Sequence, residues 1–210
     1  MNGIQSAAAL TMRAMITAGH RARMIQIAAR LGIADILARG PADSLHLAAE
    51  SGCNADALGR LLRALAASGA FRQTPDGAWQ PTELGETLCA DSSASCRAAA
   101  LYWGLDSIRS AWDHLEHSIR TGQPAFDRAN GRGFFDHMAA ESQDGNLFDG
   151  FIKRNQNGRA AIHAATIATA ADFVTSWART SGWQDGCRRR QLLPPDTIWG
   201  GCLYIGVHIT

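Results

Sequence analysis

The sequence predicts a mainly α-helical protein carrying one small β-hairpin set among short helices. Three observations carry that expectation. Apolar residues recur at helical spacing from Gln5 to about Leu37, and the chain is helical again from Ala94 to about Trp177. Between those stretches, from Gly40 to Thr87, capping and turn residues arrive at short intervals. Within that interval Pro75-Asp76-Gly77 separates two short segments of strand character.

In the first stretch Leu10, Met12, Met15 and Ile16, then Met24, Ile25, Ile27, Ala28 and Leu31, keep the helical period. Ile33, Ile36 and Leu37 continue it beyond Gly32, so one long helix and one shorter helix are expected, with the break near Gly32. The methionines suit either a seam between two chains or an intramolecular core face, because a thioether adapts to irregular surfaces.

Asp43 or Ser44 caps the next helix, which runs through Glu50, and Gly52-Cys53-Asn54 is a tight turn. Asn54 or Ala55 opens a second helix with Leu58, Leu61, Leu62 and Leu65 on its apolar side, ending at Ser68-Gly69. Phe71 to Gln73 and Ala78 to Gln80 make the hairpin, and Thr82 starts a short helix through Leu88. Helix, turn, helix and hairpin in that order describe a winged helix.

The second helical stretch is interrupted by loops at Thr121-Gly122-Gln123-Pro124 and Asn130-Gly131-Arg132-Gly133. Tyr102, Trp103, Trp112, Phe126, Phe134, Phe135, Phe148 and Phe151 concentrate here. Such rings dominate cores, and their clustering around two glycine-rich loops also suits the wall of a pocket. After Trp183 the character changes. Arg188-Arg189-Arg190, Pro194-Pro195 and the run from Leu203 to Thr210 carry no helical period. Leu203 to Val207 has strand character, but a lone strand is not independently stable.

Composition limits the function classes. The chain has 210 residues, 46% hydrophobic and 19% charged, as in an ordinary globular protein. Twenty basic residues against 19 acidic ones leave a net charge of +1. That balance supports neither a nucleic-acid surface nor an anionic membrane surface. A DNA-reading winged helix would rely on Arg60, Arg63 and Arg72, the last beside Asp76, which is a sparse phosphate footprint. Arg13, His20, Arg21 and Arg23 interrupt the apolar N-terminal stretch, so neither a secretory leader nor a membrane span is expected. Five scattered cysteines (Cys53, Cys89, Cys96, Cys187, Cys202) without a C-x-x-C pair suit reduced thiols in a cytoplasm, with no metal site.

Several segments taken together resemble one family. Ile27 to Asp35, Leu61-Leu62-Arg63-Ala64-Leu65, Thr82 to Leu88, Arg120 to Asp127, and Gly133-Phe134-Phe135-Asp136-His137-Met138 with Phe148-Asp149 beyond resemble, in family order, bacterial small-molecule O-methyltransferases. The resemblance covers about residues 20 to 183. It implies an intertwined homodimer built from the N-terminal helices and winged helix, helices that wall a pocket for a small aromatic or polyketide-like substrate, and a Rossmann-like domain that binds S-adenosylmethionine. It further implies Trp103, Trp112, Phe126, Phe134, Phe148 and Ile152 as substrate-binding residues. Where relatives carry a small polar residue in the turn after Ile152, this chain has Lys153-Arg154-Asn155-Gln156-Asn157.

The resemblance breaks off at Ser181-Gly182-Trp183. Methyl transfer of this type needs a glycine-rich turn after a strand and an acidic residue that holds the ribose. Gly200-Gly201 and Gly206 neither follow an apolar strand nor open a helix, and His208 lies in the tail. No catalytic, cofactor-binding or metal residue is therefore expected. Codons for Gln184 to Arg190, read one base later, can encode Arg-Thr-Val-Val-Asp-Val-Gly. A frameshift after Trp183 and a genuine short form both remain open. The expected organisation is a helical dimerisation and winged-helix domain over 1–93, pocket helices over 94–183, and an aberrant tail over 184–210 in place of the Rossmann-like methyltransferase domain. The expected role is the dimerisation and substrate-binding portion of an S-adenosylmethionine-dependent O-methyltransferase, inactive as it stands and not binding that cofactor. A non-catalytic dimerisation or ligand-binding module and a DNA-binding regulator are the alternatives.

Overall fold

A computed structural model describes residues 6–157, and these fall into two compact units that divide between Gly104 and Leu105. In the first unit α1 spans Ala7–Arg30, its start capped by Ser6 Oγ, which accepts from the Ala9 amide at 3.2 Å. α2 spans Ile33–Leu37, so the break falls at Leu31-Gly32, as the period predicts. The two ends of α1 differ. Ala28 and Ala29 are buried and Met24 and Ile25 pack on the core, whereas Leu10, Met12, Met15 and Ile16 stand exposed, Ile16 at 72%. The methionines thus divide: Met24 serves the core, and Met12 and Met15 face outward.

α3 (Ser44–Ser51) and α4 (Ala55–Ala67) begin where short polar side chains can take up free amides. Asp43 Oδ1 accepts from the His46 amide at 2.8 Å and Asn54 Oδ1 from the Ala57 amide at 3.0 Å. Each such cap contributes about 1 kcal/mol. Strands β1 (Phe71–Gln73) and β2 (Trp79–Pro81) pair antiparallel with Arg72 opposite Gln80. The second strand starts one residue later than expected. Thr74 holds Ala78 in the turn, its amide and hydroxyl donating to the Ala78 carbonyl at 2.7 and 2.9 Å. Trp79 is buried and its indole N–H donates to Ser44 Oγ at 3.0 Å, tying the hairpin to α3.

α5 is only Glu83–Glu86, short of the expected Leu88. Its Thr82 cap accepts from the Gly85 amide, but the Thr87 amide already bonds Leu84 three residues back, tightening the turn and ending the helix. Ile33, Leu37, Leu47, Leu58, Leu62, Leu65, Phe71, Trp79 and Leu88 form the core of this unit, with Leu61 only partly buried at its edge. α6 (Arg97–Trp103) lies along α1, and Arg23 Nη1 donates to the Gly104 carbonyl at 3.2 Å. Asp35 accepts from the Ala90 amide at 2.7 Å and faces Arg97 Nε at 3.4 Å, joining α2 to the segment that leads into α6.

The second unit is all helix among the described residues: α7 (Asp106–Asp113), α8 (Leu115–Thr121), α9 (Ala125–Asn130), α10 (Phe134–Ala140) and α11 (Ser142–Asn157). The two loops fall where expected, because Gly122 and Gly131 take φ of 71° and 72° and cap α8 and α9 in the left-handed region. The break at His114 is an addition. Its Nδ1 lies 2.8 Å from the Ser110 carbonyl, the acceptor its own amide would need, and the amide turns to Ala111 instead.

Among the described residues no helix is long and apolar enough to cross a membrane, and no group of side chains suits a metal ion. Cys53, Cys89 and Cys96 are unbridged. Burial, reinforced by Asp35, Glu86 and Asp91, pushes the Cys89 thiol up and away from the reactive thiolate. The expected strand at Leu203 to Val207, the tail over 184–210 with His208, Cys187 and Cys202, and the helical stretch beyond 157 lie outside the described residues.

Candidate functional site

The aromatic residues of the second unit are drawn together by its short helices. Phe126 on α9, Phe134 on α10 and Phe148, Phe151 and Ile152 on α11 are all buried. Phe134 stands at the centre. Its ring meets Phe126, Phe135 and Phe148 edge-on, each at 5.2 Å. Such pairs contribute about 0.5–1.5 kcal/mol each beyond burial. Of the residues the family resemblance implies, Phe126, Phe134 and Phe148 are joined by ring contacts, and Ile152 follows Phe148 by one helical turn. Trp112 on α7 is 37% exposed. Trp103 belongs to the first unit, where its ring meets Tyr102 at 5.0 Å.

A polar network runs through the same unit. His137 Nε2 on α10 lies 3.0 Å from Asp144 Oδ2 on α11, and Ser107 Oγ on α7 donates to that oxygen at 2.5 Å. Asn130 Nδ2, at the end of α9, donates to the carbonyls of Ser107 and Phe126, each at 3.1 Å. Asp144 is 19% exposed at its side chain and His137 only 10%. The sequence reading did not single these residues out. His137 sits inside a quoted segment, but a histidine and an aspartate seven residues apart across a helix break give no periodic signal. The burial of the His137 ring against Phe126 is the sign that marks the pair.

Asp127 in the first turn of α9 has its carboxyl pushed above the usual range by burial and then by Asp136. A carboxyl whose folded pKa is raised favours the protonated fold, so its contribution is present at acid pH and lost as pH rises through that pKa. Asp127→Asn is therefore expected to raise the urea midpoint slightly at pH 7, with the gain vanishing near pH 3. An equal gain at both pH values would refute the assignment.

S-adenosylmethionine is the cofactor the family resemblance implies. The described residues do not fit it: their sheet is a two-stranded antiparallel hairpin, and no strand among them leads through a glycine-rich turn into a helix.

Residues 16–91 match the O-methyltransferase dimerisation domain. This stretch of the chain belongs to that family. The dimerisation domain covers most of the first unit, from the exposed part of α1 through the winged helix. Beyond it the similarity continues. O-methyltransferase SfmM3 of Streptomyces lavendulae is 38% identical over 164 residues, 77% of this chain and 47% of that protein. The solved mitomycin 7-O-methyltransferase MmcR superposes with a TM-score of 0.67 at 30% identity, covering 78% of this chain and 49% of its own. The O-methyltransferase NcsB1 from neocarzinostatin biosynthesis, solved with S-adenosyl-L-homocysteine, gives 0.54 at 33% identity, covering 62% and 43%. The chain thus spans about half the length of the curated relatives it matches. Nothing in these comparisons supports the DNA-binding alternative.

Proposed function

We propose that the chain is the dimerisation and substrate-binding portion of an S-adenosylmethionine-dependent small-molecule O-methyltransferase, pairing with a second copy of itself. The observation that carries this reading is a dimerisation domain over residues 16–91 followed by a helical unit with an aromatic interior. In this reading the helical and winged-helix domain occupies 1–93, the substrate-pocket region 94–183 and the tail 184–210. Leu10, Met12, Met15 and Ile16 supply the seam between copies. Trp112, Phe126, Phe134, Phe148 and Ile152, all of the second unit, wall the place of a hydroxylated aromatic ligand. The relatives are named for mitomycin and neocarzinostatin biosynthesis, and one binds the demethylated cofactor. The described residues carry no glycine-rich cofactor turn, so no methyl transfer is assigned to them.

Three measurements test this. Met15→Glu with Ile16→Glu is expected to weaken self-association at least tenfold in sedimentation. Burial of such side chains contributes about 1.5–3 kcal/mol each, and 1.4 kcal/mol is a factor of ten. An unchanged dimer constant would remove α1 from the seam. Titration with 2-naphthol should quench tryptophan fluorescence saturably. Labelled S-adenosylmethionine should neither bind with micromolar affinity nor donate its methyl group, and saturable binding would overturn that part.

A further inference from the structure

The described structure contains a buried hydrogen-bonding atom that the described residues leave unused. His137 Nδ1 has no partner among the described residues, although the imidazole is nine-tenths buried. Most buried polar atoms in folded proteins are satisfied, and leaving one unpaired costs about 1–3 kcal/mol. The rest of the ring is not loosely placed. Nε2 is held by Asp144 at 3.0 Å, Asp144 is held by Ser107 at 2.5 Å, and the ring stands edge-on to Phe126 at 5.4 Å. A phenylalanine would fill such a position without an unpaired atom.

The partners determine which kind of group is missing. An ionised carboxylate only accepts hydrogen bonds. Asp144 already accepts a hydrogen bond from the Ser107 hydroxyl, so an imidazole that carries one proton and bonds this carboxylate holds that proton on Nε2. Nδ1 is then left with its lone pair, an acceptor whose strength the carboxylate behind the ring increases. The group it lacks is a donor. The ring it is packed against, Phe126, offers apolar contact and no donor.

We infer that His137 Nδ1 accepts a hydrogen bond from the ring hydroxyl of a phenol- or naphthol-class ligand, with Asp144 and Ser107 setting its tautomer. His137 is a positioning residue in this scheme: it distinguishes a ring bearing O–H from the same ring bearing O–CH3, because the methylated oxygen has no proton to give. A site that reads hydroxyl and rejects ether would hold a methyl acceptor and release its product. The inference rests on the aromatic-ligand reading above.

The test uses the full 210-residue chain labelled with nitrogen-15 and a matched pair of probes, 2-naphthol and 2-methoxynaphthalene. The His137 resonances, assigned by their loss in His137→Phe, should show a bare Nδ1 and a protonated Nε2 in the free chain. Addition of 2-naphthol should move Nδ1 toward the hydrogen-bonded position, and 2-methoxynaphthalene should not. His137→Phe should bind 2-naphthol about tenfold more weakly while its affinity for 2-methoxynaphthalene is unchanged. If that variant fails to fold, the two probes on the unaltered chain still decide. A protonated Nδ1 in the free chain, or equal shifts from both probes, overturns the inference. So does binding of 2-naphthol, seen in the tryptophan signals, with Nδ1 unmoved. If neither probe binds, the aromatic-ligand reading itself fails.

Discussion

Gly85→Ala is expected to destabilise the first unit by about 3 kcal/mol, at the upper end of what overpacking costs. A Cβ at this position would stand 2.0 Å from the Ala70 carbonyl oxygen and 3.1 Å from both Ala70 C and Pro81 Cβ. The obstacle is backbone rather than a flexible side chain, and it is already in use. Ala70 O accepts from the Thr82 amide at 3.1 Å, the bond that closes the hairpin over the start of α5. Relief of the clash must therefore move the entry to β1 or the cap of α5, and both border the core at Phe71 and Leu88. Gly150→Ala is the matched control. Nothing lies within 4 Å of a Cβ there, and the site is inside α11, so about 0.5–1 kcal/mol of stabilisation is expected. Urea unfolding followed by far-ultraviolet circular dichroism measures both. A loss below about 1 kcal/mol for Gly85→Ala would mean that α5 does not sit against Ala70.

Phe126→Ala should remove about 3–5 kcal/mol from the second unit. The ring is fully buried and meets both Phe134 and His137 edge-on, so truncation leaves a cavity between α9 and α10 and deprives two rings of a partner. Hydrogen exchange offers a local readout. Amides of α9 and α10 should exchange much faster, while those of α3 and α4, which belong to the other unit, should be unchanged. The same variant separates two roles for the ring. A side chain that only lined a ligand site would lose affinity with little loss of stability, so a cost below about 1.5 kcal/mol would argue that Phe126 is not core.

The parts of the fold that were legible are those specified by neighbours in the chain. Asp43, Asn54 and Thr82 announce helix starts because each reaches an amide three residues ahead. Pro75-Asp76-Gly77 announces the turn. Errors arose where a side chain altered the local pattern: Thr74 holds Ala78 back from β2, and the His114 ring takes the carbonyl that would have continued α7. The aromatic residues were legible as a group but not as an arrangement. Nothing in the spacing of Phe126, Phe134 and Phe148 places Phe134 between the other two, or adds Phe135 beside it.

By itself the sequence determined the winged helix, the break at Gly32, the two glycine-capped loops and the kinship with O-methyltransferases. These follow from short-range hydrogen bonding, from backbone conformations open to few residues, and from apolar periods of one helix turn. Only the tertiary structure decided which end of α1 is buried and that Gly85 presses on a carbonyl. It alone brought Ser107, Asp144 and His137 from three helices onto one another. Those outcomes depend on distances between segments remote in the chain, and burial is a property of the packed unit rather than of any residue's neighbours in sequence.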